Sequence, residues 1–152
     1  MYLPLPLLFT GNAAAPFAWS LVLAGAVVML SLVPLGAGRA KADFTPADLA
    51  APRAMFERLP AWGQRASWAH QNSFEAFTLH APACLLCLLA VPAGLAASPL
   101  LTLAALLHPA LRLTYVGAYV ANQPMLRSFS WISALLCTAL LYSEALKALL
   151  RA

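Results

Sequence analysis

Charge is what this sequence has least of. Only 9% of its 152 residues are Asp, Glu, Lys or Arg, against roughly 25% in a soluble domain. With 62% of the chain hydrophobic, that scarcity excludes an ordinary water-soluble domain and implies an integral membrane protein of one domain. Cysteine is also scarce. Cys84, Cys87 and Cys137 all lie in apolar segments and none in a loop, so no secreted disulfide framework is expected. Cys84 and Cys87 have the CxxC spacing, but a mid-helix position in lipid makes packing the default reading. No basic run is interleaved with aromatics, which argues against a nucleic-acid partner. There is no glycine-rich phosphate loop, no nucleophile triad motif and no internal repeat. No second histidine stands at ligand spacing, so no metal site is expected.

What is present is four apolar segments, each near the ~20 residues a bilayer needs. The first is read at about 16–35. The second is the inner part of a helix spanning about 61–95. The third covers about 99–120 and the fourth about 127–150. Positions 1–12 are apolar, hold Pro4, Pro6 and Gly11, and lack the basic start of a signal peptide; an irregular or interfacial stretch is expected there. A charged link covers about 36–60, while the two later links are short. Short links make antiparallel neighbours, so an all-α, up-down-up-down four-helix bundle is predicted.

The basic residues set an expected orientation. Arg39, Lys41, Arg53, Arg58 and Arg65 lie in or beside the first link and Arg127 in the third, six against Lys147 and Arg151 near the C-terminus. The positive-inside rule then puts the first and third links in the cytoplasm and both termini outside.

The polar residues inside these helices are not scattered. Arg65, Trp68, Asn72, Glu75 and Leu79 fall at i, i+3, i+7, i+10 and i+14, which is one helical stripe. Arg112, Tyr115 and Tyr119 form a second stripe at i, i+3 and i+7. Arg127 and Ser128 open the fourth helix, where free backbone N–H groups favour an anion. Arg112 and Glu75 lie about two turns deeper than the rest and are expected to pair. The set offers cations, amides and hydroxyls at the rim of an apolar groove. It suits a small anionic, amide-rich ligand beside a lipophilic one, and an arginine or hydroxyl aimed at a thiol would favour the thiolate. Structural readings compete with this one. Asn72 and Glu75 can be interhelical bonds, Tyr115 and Tyr119 interfacial belt aromatics, and Arg127 a positive-inside anchor. Arg65 can snorkel to headgroups. Pro82 is expected to bend the second helix. His80 is read as a core histidine bonded to a neighbour. His108-Pro109 is read as a kink whose freed carbonyl finds a partner on another helix.

Taken together, Arg65-Ala66, Ala69-His70-Gln71-Asn72, Glu75, Arg112, Tyr115, Tyr119 and Arg127-Ser128 resemble the membrane-associated proteins in eicosanoid and glutathione metabolism, the MAPEG family. The resemblance covers roughly 52–128, and Pro52-Arg53-Ala54-Met55-Phe56-Glu57 ahead of Trp62 is similar to its bacterial branch. It implies a homotrimer in a bacterial inner membrane, with glutathione as co-substrate at sites between subunits on the cytosolic side. It further implies a transferase or peroxidase acting on a small lipophilic electrophile. Arg127 would then stand nearest the thiol as the catalytic residue, with Arg65, Asn72, Glu75, Arg112, Tyr115, Tyr119 and Ser128 binding the ligand. The family's better-known enzymes carry an arginine where this chain has Trp68. That departure supports the alternative expectation, a non-catalytic binding or scaffold protein with the same fold.

Overall fold

The computed structural model describes residues 12–151; positions 1–11, read above as irregular or interfacial, lie outside them. The described residues form α1 (Ala15–Leu30), α2 (Leu32–Ala40), α3 (Ala61–Ala90), α4 (Pro99–Val120) and α5 (Pro124–Leu149), with two short 3-10 helices, Pro46–Leu49 and Pro52–Arg58, in the first link. Four stretches are long and apolar enough to cross a membrane: Ala15–Ala40, Ala61–Ala90, Pro99–Val120 and Pro124–Leu149. The described residues make an all-α membrane protein of four spanning helices, as the four apolar segments predict.

The first span is longer than the sequence suggested and is broken. Pro34 has no N–H for the Leu30 carbonyl, and the helix divides at Ser31. The Ser31 hydroxyl donates to the Val28 carbonyl at 2.6 Å. It has no second proton, so it accepts from His70 Nδ1–H at 2.7 Å. The break is thereby fastened to α3. α3 ends at Ala90 rather than near 95, and the chain turns at Gly94, whose φ is +91°. α4 stops in a Schellman turn. Asn122 takes a left-handed φ of 57°, Gln123 N–H reaches the Ala118 carbonyl, and Asn122 N–H reaches that of Tyr119. Pro124 then starts α5.

α3 packs small residues inward and large ones outward. Ala66, Ala69, Ser73, Ala83, Cys84, Cys87 and Ala90 make the buried face of α3, while Leu79, Leu85 and Leu89 are exposed. In lipid the outer leucines cost nothing, and the small inner residues let backbones approach. α2 and α3 come closest at a pair of glycines: a Cβ on Gly38 would stand 3.0 Å from the Gly63 Cα. Larger residues at either position would push the two helices apart.

α3 has 30 residues and is about 45 Å long at 1.5 Å per residue, more than the ~30 Å hydrocarbon core. Its first turns therefore extend past the apolar layer, beside the first link and the α4–α5 turn. In that link Thr45 caps Asp48. The Thr45 backbone N–H and hydroxyl donate to Asp48 Oδ2 at 2.9 and 3.0 Å, and the Arg58 guanidinium donates to Oδ1. The Thr45 backbone N–H first, then the Thr45 hydroxyl and Arg58, hold the Asp48 carboxyl below its ordinary 3.8. The folded value is the lower one, so this clasp is fully formed above the unfolded value. It opens only as pH falls through the depressed one.

Candidate functional site

The two predicted stripes face each other at the end of the bundle where α3 begins and α4 ends. Arg112 is buried, 3% exposed. Its Nη2 donates to the Asn72 side-chain oxygen at 2.9 Å and to the Asn72 backbone carbonyl at 3.1 Å. The Asn72 amide donates onward to Glu75 Oε2 at 2.9 Å, and the Gln71 amide reaches Oε1 at 3.4 Å. The expected direct pairing of Arg112 with Glu75 is therefore corrected. Asn72 stands between them, accepting from the cation and donating to the carboxylate. An amide can do both at once, which neither ion can.

Aromatic rings carry the site outward. The Arg112 guanidinium lies 4.2 Å from the centre of the Tyr115 ring, and Arg127 lies 4.7 Å from that of Tyr119; both are cation–π contacts. Tyr115 and Tyr119 meet edge to face at 5.5 Å, and Trp68 packs between Tyr119 and Phe56 at 6.3 and 5.5 Å. Asn72, Glu75, Tyr115, Tyr119, Trp68 and Gln71 line an open pocket of about 360 Å³. On the far side of Trp68 and Glu75 a groove of about 1080 Å³ runs between α2, the first link and α3, with Arg39, Arg53 and His70 among its walls.

Two predicted residues stand apart. Arg65 is half-buried and its Nε donates to the Val120 carbonyl at 3.2 Å, tying α3 to the last turn of α4. A cation at a helix C-terminus is favourable in its own right. Ser128 is exposed on α5, while Ser130, two positions on, is buried and donates to the Arg127 carbonyl at 3.0 Å. Two side chains that sequence reasoning did not place in the site are near it. Gln71 is the second amide on Glu75. His108 lies one turn before Arg112 on the same face of α4 and stacks on His80 with ring centres 3.4 Å apart. The i, i+4 spacing of His108 and Arg112 was the available signal.

His80 is the bonded core histidine that was expected. The Ser20 hydroxyl donates to the Ala105 carbonyl at 2.5 Å, the carbonyl that Pro109 deprives of its helical donor. With its proton committed, Ser20 accepts from His80 Nε2–H at 2.8 Å. A neutral His80 then has a lone pair on Nδ1, which takes the Thr138 hydroxyl at 2.9 Å. The Cys84 thiol is 3.2 Å from the same Nε2. Four spans thus share one polar knot in mid-bundle. α3 continues through Pro82, and near it the Tyr142 hydroxyl of α5 donates to the Leu79 carbonyl at 2.9 Å.

These features define a class: a four-span α-helical membrane protein with an amide-bridged Arg–Glu chain and tyrosine–arginine stacks at one end of the bundle. The model of the MAPEG family matches residues 16–147, nearly the whole chain, and the protein belongs to that family. No curated protein and no solved structure matches it. Members of the family generally use glutathione. Membership supports a membrane glutathione-related transferase, peroxidase or allied function at the level of the family.

Proposed function

We propose that the protein is a membrane glutathione transferase or peroxidase acting on lipophilic electrophiles. The observation that carries this reading is the Arg112–Asn72–Glu75 chain facing Tyr115 and Tyr119, with Arg127 over the second ring. Glu75 offers a carboxylate to the ammonium of glutathione, and Asn72 offers an amide to its backbone. Arg127 supplies the positive charge that lowers the cost of a thiolate. With an aryl halide the sulfur–carbon bond forms, the carbon–halogen bond breaks, halide departs and the thiol proton passes to water.

Glu75 is exposed in the single chain although it lies in a spanning helix. A carboxylate facing lipid is costly even with two amides on it, which supports a second copy of the chain covering it. We read the assembly as the family's homotrimer, with the site shared between subunits. The excess of arginine and lysine supports placing this end of the bundle in the cytoplasm of a bacterial inner membrane.

The test is turnover of an aryl halide, or of a lipid hydroperoxide, by purified protein with millimolar glutathione. Neither turnover nor binding under those conditions would sink the proposal. Within it, Arg127→Ala is expected to lower kcat about 100-fold, the scale for removing one preorganised charge-stabilising donor. The change in KM should be much smaller. The bound thiolate absorbance should fall in the same variant, a readout that a merely structural arginine would leave alone.

Trp68 favours a second reading, a binding protein that has kept the fold without thiol activation. Its indole fills the space beside the pocket where a cation would reach a carboxylate. Trp68→Arg is expected to tighten glutathione binding about tenfold, from a charge-assisted bond of roughly 1.5–3 kcal/mol partly offset by lost packing. Calorimetry of the two proteins measures it. No gain in affinity would mean that glutathione's carboxylates do not reach position 68.

A further inference from the structure

A second, smaller cavity of about 100 Å³ lies between α3, α4 and α5. His108 and Arg112 are among its walls and are 2% and 3% exposed. Each carries a buried nitrogen without a hydrogen-bond partner among the described residues, His108 Nδ1 and Arg112 Nε. Leaving such an atom bare costs more than a typical hydrogen bond gains, and here two stand one turn apart on one face of α4. Both are already buried in the single chain, so a second copy laid over Glu75 would close the cavity rather than reach them.

The two atoms and the walls define what fits. Arg112 Nε–H can only donate, whereas an imidazole nitrogen accepts or donates according to its tautomer. Arg112 disfavours a cation there, and Glu75, which also lines the cavity, disfavours an anion. Water is neutral and accepts and donates at once, so it satisfies both nitrogens in either tautomer. Asn72, Glu75 and Thr138 add polar partners, and a buried water needs roughly two to four. At about 30 Å³ each, about three waters fill the volume. We propose that the cavity is a bound-water site through which His108 acts as a positioning residue. One or two waters join His108 Nδ1 to Arg112 Nε, while Arg112 Nη2 holds the Asn72 side chain at 2.9 Å. A guanidinium is planar and rigid, so fixing Nε fixes the direction of Nη2, and with it the Asn72–Glu75 end of the chain. That positioning of a ligand-binding chain rests on the proposed function; the water site does not.

X-ray hydroxyl-radical footprinting of the full-length protein in lipid nanodiscs tests the site. Radiolysis of a bound water oxidises the side chain beside it, even where bulk water does not reach. With each rate normalised to that of the unfolded chain, His108 is expected to be oxidised about tenfold faster than Phe17 and Leu141, both fully buried in the dry apolar core. Ala134→Leu, which fills the cavity from α5, should bring His108 down to their rate; Ala134→Val serves if that variant fails to fold. His108 oxidised no faster than Phe17 would show a dry or lipid-filled cavity and overturn the proposal, as would unchanged oxidation in a folded Ala134 variant. Calorimetry tests the positioning. His108→Leu should weaken glutathione binding about fivefold, the scale of one lost hydrogen bond, with kcat at saturating glutathione changed much less. His108→Asn, whose amide oxygen stands where Nδ1 does, should keep the affinity. The Ala134 variant, by displacing the water, should weaken binding similarly and serves if His108→Leu fails to fold. Affinity unchanged in these variants, or lost equally in His108→Leu and His108→Asn, would overturn the role of His108. Protein that is oxidised at His108 but binds no glutathione would leave the water site standing and remove the proposed function, together with the part of His108 in it. Glutathione turnover with His108 unoxidised would do the reverse.

Discussion

Asn72→Leu is expected to destabilise the bundle more than Arg112→Leu, although both delete the same two side-chain partners' contact. Arg112 is buried and its guanidinium rests on Asn72, at 2.9 Å to the side chain and 3.1 Å to the backbone. Replacing Asn72 leaves the cation in place without its side-chain partner, and it separates the cation from Glu75. Leaving a buried group without its hydrogen-bond partner costs roughly 1–3 kcal/mol, and more when the group is charged as Arg112 is. Replacing Arg112 removes the charge as well as the bond. Interhelical hydrogen bonds in membranes average only about 0.6 kcal/mol, so Arg112→Leu should cost on the order of 1 kcal/mol, from the lost bonds and Tyr115 contact. The double variant Asn72→Leu/Arg112→Leu should therefore be more stable than Asn72→Leu alone. Thermal unfolding of the three variants in detergent micelles decides it. A double variant no more stable than Asn72→Leu would mean that Arg112 is not the burden. Activity follows a different order. Under the proposed function all three variants lose glutathione binding, since each removes a member of the Arg112–Asn72–Glu75 chain.

The contrast between those variants rests on a detail that the sequence does not disclose. The stripes are legible, because 3.6-residue periodicity puts Asn72 and Glu75, and Arg112 and Tyr115, on single faces. The spans are legible because a bilayer demands runs of about 20 apolar residues. Which groups touch across helices depends on depth and rotation, and periodicity fixes neither. Shared depth predicts that Arg112 and Glu75 meet; the rotation of α3 puts the amide between them. Ser128 stands at the start of α5, but two residues turn a helix by about 200°, and Ser130 is the one that faces inward. The first span shows the same limit. Its periodicity reads as one unbroken segment; the break before Pro34 is held by the contact of Ser31 with His70, far along the chain on α3. The His80–His108 stack is likewise a meeting of α3 and α4 that no local pattern encodes.

At His108-Pro109 local chemistry does predict a distant contact. Proline frees the carbonyl four residues back, and a free carbonyl in a membrane must find a donor. Here it is the Ser20 hydroxyl at 2.5 Å, which also accepts from His80 Nε2–H. Ser20→Ala strips both groups of their partner at once. Each buried unsatisfied group costs roughly 1–3 kcal/mol, so a loss of about 2–5 kcal/mol is expected, large for the removal of one oxygen. The origin of the loss is separable. Pro109→Ala restores an N–H to the Ala105 carbonyl, so Ser20→Ala/Pro109→Ala should recover about half of it, and the His80 share should remain. In the presence of Ser20, Pro109→Ala should change stability much less, because the carbonyl is already satisfied. A double-mutant cycle on thermal unfolding measures the coupling. Coupling near zero would show that Ser20 serves His80 alone. A cost below about 1 kcal/mol for Ser20→Ala would show that water has reached mid-bundle and taken over both bonds.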